Sequence, residues 1–436
     1  MRAQDLSIFV EIFKILELIE MSERPIFCDN NSGYQEPIMN KMETAAGLVL
    51  ITAFAAAIAA GGMFSGKSTE TNRGANVNVT NVADLLDDGE PRHVDIAICL
   101  DTSGSMSQLI QSARQKLWAV VNELATAQPK PVLRVALYQY GGSALASEDG
   151  WVKQLCPLTN DLDMVYEKLF ELNSSGSTEY VARVMRSATT QLKWSKSKSA
   201  LKIIFIAGNE RATQDPSFKL RDTCKAAATA GILVNTVYCG DDATGRSTGW
   251  SDAAVWADGR YAAIDQKSGT IAIQTVYDKK LAELSTKLNT TYVRFGADGT
   301  KRSDRQFAQD ANAISLNTAA AADRATVKAT GFYDNATWDL GDASRKRDFD
   351  IRKIDNKYLP KVMQSMTDSD KVAYIATQVK SRGALQKEIR DLSAKRMKIV
   401  KAKTAEGAAT GKLSLDKALK DMVRIQAEKQ NFKFKE

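Results

Sequence analysis

The chain has 436 residues, a formal net charge of +7 and ordinary globular fractions of apolar (44%) and charged (25%) residues, enough for one large core with extra elements or for two domains. A single histidine, His93, excludes His-based triads and histidine-rich zinc sites. Five cysteines without CxxC spacing (Cys28, Cys99, Cys156, Cys224, Cys239) exclude a zinc ribbon and a thioredoxin-like motif.

Residues 1–38 resemble neither the following run nor the main domain and read as an upstream extension. Ala45–Phe64 is an uncharged, mostly apolar run long enough to cross a bilayer. With Met39–Met42 as a short basic lead and Ala57-Ile58-Ala59 as a cleavage pattern, residues 39–64 read as an export signal. If residues 1–38 are retained, the same run becomes an internal anchor, although residues 1–43 give a poor positive-inside signal. The alternative is a cytoplasmic protein with a buried helix. Gly61–Ser68 matches the phosphate-loop pattern GxxxxGK[ST] letter for letter. Such a loop must lead into a helix whose amides cradle the phosphates, and Ser68–Thr80 is polar without helical periodicity. The match is therefore read as chance, within a linker spanning 65–91.

His93–Met106, HVDIAICLDTSGSM, carries the main chemical signal. An apolar strand ends on Asp101, and Ser103 and Ser105 follow at alternate positions in a turn that opens a helix. One carboxylate and two hydroxyls thus meet at the carboxyl end of a strand, where open α/β sheets bind ligands, and hard cations such as Mg²⁺ take oxygen ligands of this kind. The bland reading of the same turn is a hydroxyl cap on the next helix.

From His93 to about Leu288 apolar strands alternate with amphipathic helices. Helices are predicted over 106–127, 162–172, 178–192, 220–230, 250–257 and 275–288, and strands over 132–140, 201–207, 232–239 and 261–264, with a short paired segment at 151–156. This pattern predicts an α/β fold, a doubly wound, mostly parallel sheet covered on both faces. Cys224 and Cys239 form a disulfide in an oxidising compartment or remain two buried thiols.

Asp101-Thr102-Ser103-Gly104-Ser105 resembles the DxSxS signature of von Willebrand factor type A domains, where it forms part of a metal-ion-dependent adhesion site. Thr178 in Asn173–Tyr180, NSSGSTEY, matches the loop threonine of that family, and the resemblance spans residues 92–290. It implies a Rossmann-like sheet in which Ser103, Ser105 and Thr178 hold a divalent cation, Asp101 bonds through water, and an open position accepts a carboxylate from a protein partner. The family's aspartate after the fourth main strand is missing, because Gly208 of Ile206–Glu210, IAGNE, falls on its place. Asn209 offers an amide oxygen there, and Glu179, Glu210 and Asp241–Asp242 are candidate substitutes, Glu179 foremost. The FIAGNE turn, the Trp250–Ala254 stretch and the Tyr333–Leu340 segment also resemble a bacterial group of exported proteins with this domain.

Residues 291–358 read as a mixed segment docked by Tyr333 and Trp338, with an Ala-rich helix over 312–329. Residues 359–436 read as a basic region in which Asp368 caps a helix carrying apolar residues from Ile375 to Val400, Gly407–Gly411 breaks it, and 415–432 resumes. A helical hairpin or short coiled coil is expected. From Lys361 onward 18 Lys and Arg stand against 9 Asp and Glu, a local excess of +9, so the rest of the chain is close to neutral. Binding to nucleic acid or an anionic envelope surface competes with a solvated helix face. Scarce aromatics and mixed charge signs favour the solvated face, and nucleic acid is not favoured.

Three functions follow: an exported, metal-assisted binding or scaffolding protein with no catalytic residues; a metal-dependent hydrolase using Asp101 with Glu179 or Glu210; and a structural envelope protein with a vestigial metal turn. The first is preferred, with periplasmic location and membrane contact through an uncleaved N-terminal segment.

Overall fold

The structure, a computed structural model, describes residues 92–264, 272–407 and 415–434. The N-terminal extension, the export or anchor segment, the phosphate-loop match and the linker lie outside the described residues, as does the Gly407–Gly411 break beyond its first residue. Among the described residues no helix is long and apolar enough to cross a membrane.

In chain order the elements are β1 (His93–Asp101), α1 (Ser107–Leu124), β2 (Ala127–Gln128), β3 (Val132–Tyr140), β4 (Val152–Thr159), α2 (Leu162–Glu171), α3 (Val181–Gln191), β5 (Leu201–Gly208), α4 (Leu220–Thr229), β6 (Leu233–Cys239), α5 (Asp242–Ser247), α6 (Trp250–Trp256) and β7 (Tyr261–Ile264). A helical layer follows: α7 (Asp278–Asn289), α8 (Gly299–Leu316), α9 (Thr318–Lys328), α10 (Leu340–Ala343), α11 (Lys361–Gln364), α12 (Asp368–Gly407) and α13 (Leu415–Lys429), then β8 (Lys433–Phe434). The six-stranded sheet runs β4-β3-β1-β5-β6-β7 and is parallel except for β4, antiparallel on β3. Strand order reverses between β1 and β5, which sets the ligand crevice of such sheets at their carboxyl ends, where Asp101 and Gly208 lie.

Alternation along β1 divides the core. Val94, Ile96 and Leu100 face α1 and α2, while Ala97 and Cys99 face α3, α4 and α6. Cys239 belongs to the first face and Cys224 to the second, so a disulfide between them is excluded; Cys99, Cys156, Cys224 and Cys239 are buried free thiols.

The C-terminal third differs from its sequence pattern. α13 does not pair with α12 as a hairpin or coiled coil. Its Ala418, Met422, Val423 and Ala427 join the core beside α1 over β6 and β7, and β8 pairs with β2. Gln426 and Asn235 of β6 exchange two buried amide hydrogen bonds of 2.7 and 2.8 Å. The expected single Ala-rich helix is two helices, because the Asn317 side chain accepts from Ala320 N and starts α9 afresh.

Two arginines of the basic stretch are buried rather than solvated. Arg382 of α12 is fully buried and bonds Asp339 at 2.6 Å, Asp342 at 2.8 Å and the Thr291 carbonyl at 2.8 Å, with its guanidinium 4.0 Å from the centre of the Tyr292 ring. Arg396 bonds Asp278 at 2.8 Å and Asp323 at 2.7 Å. A third buried cluster joins Arg324 of α9 to Asp163 of α2 at 2.6 Å and to Asp310 of α8. Tyr333 donates to Asp163 of α2 and so ties the post-sheet segment to the sheet, whereas Trp338 stacks on Tyr292 within the same segment. Burial pushes Asp310 up, but Lys328 and Arg324 beside it prevail and hold it at about 2. Every carboxylate in these clusters is remote in sequence from its arginine or separated from it by a helix turn or more, which hides the pairing from a linear reading.

Candidate metal centre

Three loops converge at the carboxyl end of β1. The loop after β1 is held by Thr102 N and its hydroxyl donating to the Tyr140 carbonyl at 2.8 and 3.0 Å, and by Gly104 N donating to the Gly176 carbonyl at 3.0 Å. The loop after β3 is bridged through Gly141 to Thr178, and Ser175 N returns to the Thr102 carbonyl at 2.8 Å. The backbone, rather than side chains alone, therefore brings the DxSxS turn and the Thr178 loop together.

Asp101 is fully buried. Its Oδ1 accepts from Ser103 N at 2.8 Å, as a carboxylate does when it organises a turn, while its Oδ2 is buried with no hydrogen-bond partner. Ser103 Oγ lies 3.3 Å from Ser105 Oγ, and the Asn209 amide donates to Ser105 Oγ at 3.0 Å. Asn209 thus ties the end of β5 to the turn. Glu179 is 4% exposed, and the Gln214 amide bonds both its carbonyl, at 2.6 Å, and its carboxylate, at 3.4 Å. Gly141, at φ +82°, permits the close approach of the two acids: a Cβ there would meet Glu179 Cγ at 2.9 Å and Asp101 Oδ1 at 3.0 Å.

Burial raises the Asp101 pKa to about 7; the Ser103 bonds pull it down, and repulsion from Glu179 and Glu210 adds to the rise. Glu179 is raised for the same reason, burial first, with Glu210 contributing and the Ser103 hydroxyl opposing. A buried carboxylate oxygen without a donor, in the field of two further carboxylates and beside two serine hydroxyls, fits a hard divalent cation. The set is hydroxyl-rich, consistent with the absence, among the described residues, of any group of three or more His, Cys, Asp or Glu side chains able to hold a metal.

The structure thus gathers Asp101, Ser103, Ser105, Thr178, Glu179 and Asn209 at one end of the sheet. Asp241 and Asp242 are not spare carboxylates: Asp241 caps α5 through Thr244 N, and Asp242 pairs with Arg246 at 2.7 Å. Sequence reading missed that helix and three supporting residues, Gln214, Trp250 and Tyr140. Trp250 holds the loop after β5 through Nε1–H to the Glu210 carbonyl at 2.7 Å. Tyr140 explains the missing aspartate. Its hydroxyl donates to the Ala207 carbonyl at 3.0 Å, and a Cβ on Gly208 would stand 2.5 Å from that hydroxyl, 3.0 Å from Asp101 Oδ2 and 3.1 Å from Trp250. The phenol fills the space an aspartate side chain would need. Gly208→Ala is accordingly expected to destabilise by about 1–3 kcal/mol through overpacking. Tyr140→Phe removes the obstructing oxygen, so the double variant should lose clearly less than the sum of the singles in chemical denaturation; strict additivity would refute this account of Gly208.

A family model for the von Willebrand factor type A domain matches residues 95–247. Comparison with curated proteins finds no match. Among solved structures the chain is similar to BatB from Bacteroides thetaiotaomicron, at 17% identity over 40% of this chain and 94% of that one, with a TM-score of 0.31. It is also similar to a von Willebrand factor type A protein from Catenulispora acidiphila, at 15% identity over 41% of this chain and 40% of that one, TM-score 0.31. A third is proximal thread matrix protein 1 from the mussel byssus with a zinc-occupied MIDAS motif, at 10% identity over 41% and 43%, TM-score 0.32. The chain spans less than half the length of these last two. With the DxSxS turn at its ligand crevice and the family match from the first strand to α5, the chain carries a von Willebrand factor type A domain.

Proposed function

We propose that this is an exported binding or scaffolding protein, without catalytic activity, that captures a protein ligand at a degenerate metal-ion-dependent adhesion site. Domains of this family generally mediate protein–protein interactions. Ser103, Ser105 and Thr178 supply hydroxyl oxygens, Asn209 orients Ser105, and Asp101 with Glu179 supplies the charge lost at position 208. When bound, a cation such as Mg²⁺ supplies an electrophilic centre for a carboxylate offered by the partner. The observation that carries this reading is the buried, unpartnered Oδ2 of Asp101 within the field of Glu179 and Glu210. Export rests on the apolar run at 45–64 and places the protein outside the cytoplasm. Binding is preferred to hydrolysis because the one histidine, His93, starts β1 at the end remote from the site, leaving no histidine base beside Asp101.

Cation titration by calorimetry and thermal shift tests the proposal. Cation and proton compete for Asp101, whose carboxyl holds its proton up to about pH 7. Magnesium is therefore expected to raise the melting temperature at pH 8 and to have little effect at pH 5. No heat and no shift at pH 8 with magnesium, manganese or calcium, in a folded sample, would end the proposal. With binding established, affinity capture in magnesium against chelator identifies the partner.

A further inference from the structure

We infer that the end of the domain opposite the cation site docks on an anionic lipid surface. From Tyr180 to Asn209 the chain carries six Lys and Arg and no Asp or Glu. Within it the loop before β5 reads Lys193-Trp194-Ser195-Lys196-Ser197-Lys198-Ser199, and its serines and lysines do different work. Ser195 N donates to the buried Asp95 carboxylate at 2.7 Å. Ser197 N bonds Ser195 Oγ and Ser199 N bonds Ser197 Oγ, each at 3.3 Å, while the hydroxyls of Ser197 and Ser199 meet at 2.9 Å. The Lys193 carbonyl accepts from Arg134, and the Trp194 indole donates to the Ala188 carbonyl at 3.0 Å. The alternate serines pin the loop by turning inward in the manner of ST-turns. Lys193, Lys196 and Lys198 are left exposed, and none forms an ion pair among the described residues. A fixed loop presenting three ammonium groups loses less freedom on binding than three lysines on a mobile segment.

Placement selects the partner. Val94 pairs with Leu201 and His93 with Val132, so this loop lies at the amino end of β1, the end of the domain that follows the apolar run at 45–64 in sequence. Asp101 closes the other end of β1, roughly 26 Å away at about 3.3 Å per residue. A surface met by the lysines leaves the cation site facing outward. Juxtamembrane lysines attract anionic headgroups. Nucleic acid is disfavoured because the loop's single aromatic, Trp194, is half-buried with its N–H committed, so it makes a poor stacking platform. The choice of lipid rests on reading residues 45–64 as a membrane segment, and the test separates the two.

The test is flotation of the full chain with phosphatidylcholine vesicles made with and without phosphatidylglycerol. The apolar run contributes equally to both, so the lysine loop is read as the part of the phosphatidylglycerol preference that substituting its lysines removes. Wild type is expected to show that preference and to lose it in high salt. Lys193→Gln/Lys196→Gln/Lys198→Gln should weaken the anionic increment on the order of 100-fold, and Lys196→Gln alone roughly fivefold. An unchanged melting temperature and magnesium shift confirm that the variants fold. Equal binding of wild type to both vesicles, or a triple variant that keeps the full preference, overturns the inference. So does binding of a single-stranded homopolymer that the triple variant loses while its lipid preference persists.

Discussion

Asp101→Asn is expected to weaken cation binding on the order of 100-fold, by removing the buried negative charge, while stabilising the cation-free protein above neutral pH. The sign follows from linkage. The folded carboxyl holds its proton to about pH 7, well above its range in the unfolded chain, so ionising it opposes folding. The stability of cation-free wild type therefore falls as pH rises from the usual carboxylate range through about 7. The variant's amide has no such transition, and its Oδ1 keeps the bond from Ser103 N. Allowing for a buried amide with no acceptor, a gain on the order of 2 kcal/mol is expected at pH 8, vanishing by pH 4. Urea denaturation in chelator at the two pH values, beside calorimetric titration, measures both effects. A variant that binds magnesium like wild type, or that is less stable at pH 8, would remove Asp101 from the centre of the site.

Arg324→Ala is expected to produce the largest loss of stability, about 3–5 kcal/mol, because it leaves the buried Asp163 carboxylate without a cation and takes one of the two cations from Asp310, which keeps Lys328. The guanidinium also stacks 4.9 Å from the Trp118 ring centre, so packing is lost with the charge. Asp163 stands on α2 of the sheet domain and Arg324 on α9 of the helical layer. Denaturation is therefore expected to separate into two transitions, or to shift as one with the full loss. A change below 1 kcal/mol would show that the cluster does not join the two layers.

The sheet was legible because its signal is local. Predominantly apolar runs such as Leu201–Ala207 and Ile232–Cys239 become parallel strands with little choice, and Gly231, at φ +67°, stops α4 where expected. The DxSxS turn was legible for the same reason: its residues adjoin in sequence as they do in space. What was not legible depends on contacts between distant segments. That Tyr140 would fill the space beside Gly208 follows from the register of β3, β1 and β5 together. Cys224 and Cys239 lie close in the chain, but the helix packs on one face of the sheet while the strand turns Cys239 to the other. Arg382 and Arg396 look like solvated charges until their carboxylates arrive from α7, α9 and the α10 region. The coiled-coil expectation failed because an apolar stripe on α13 that suits a partner helix equally suits an open sheet face.

The recognisable part of the domain ends near α5, but the part that closes its hydrophobic interior does not. Phe432, Val423 and Met422 are the last pieces laid over a sheet whose strands were all supplied more than 150 residues earlier, and the Gln426 amide must find Asn235 across 191 positions. Such late, distant closure slows folding. During synthesis the part of that face over β6 and β7 is left uncovered until residues 415–434 have emerged, so a chain halted after β7 presents bare apolar surface there to whatever meets it first.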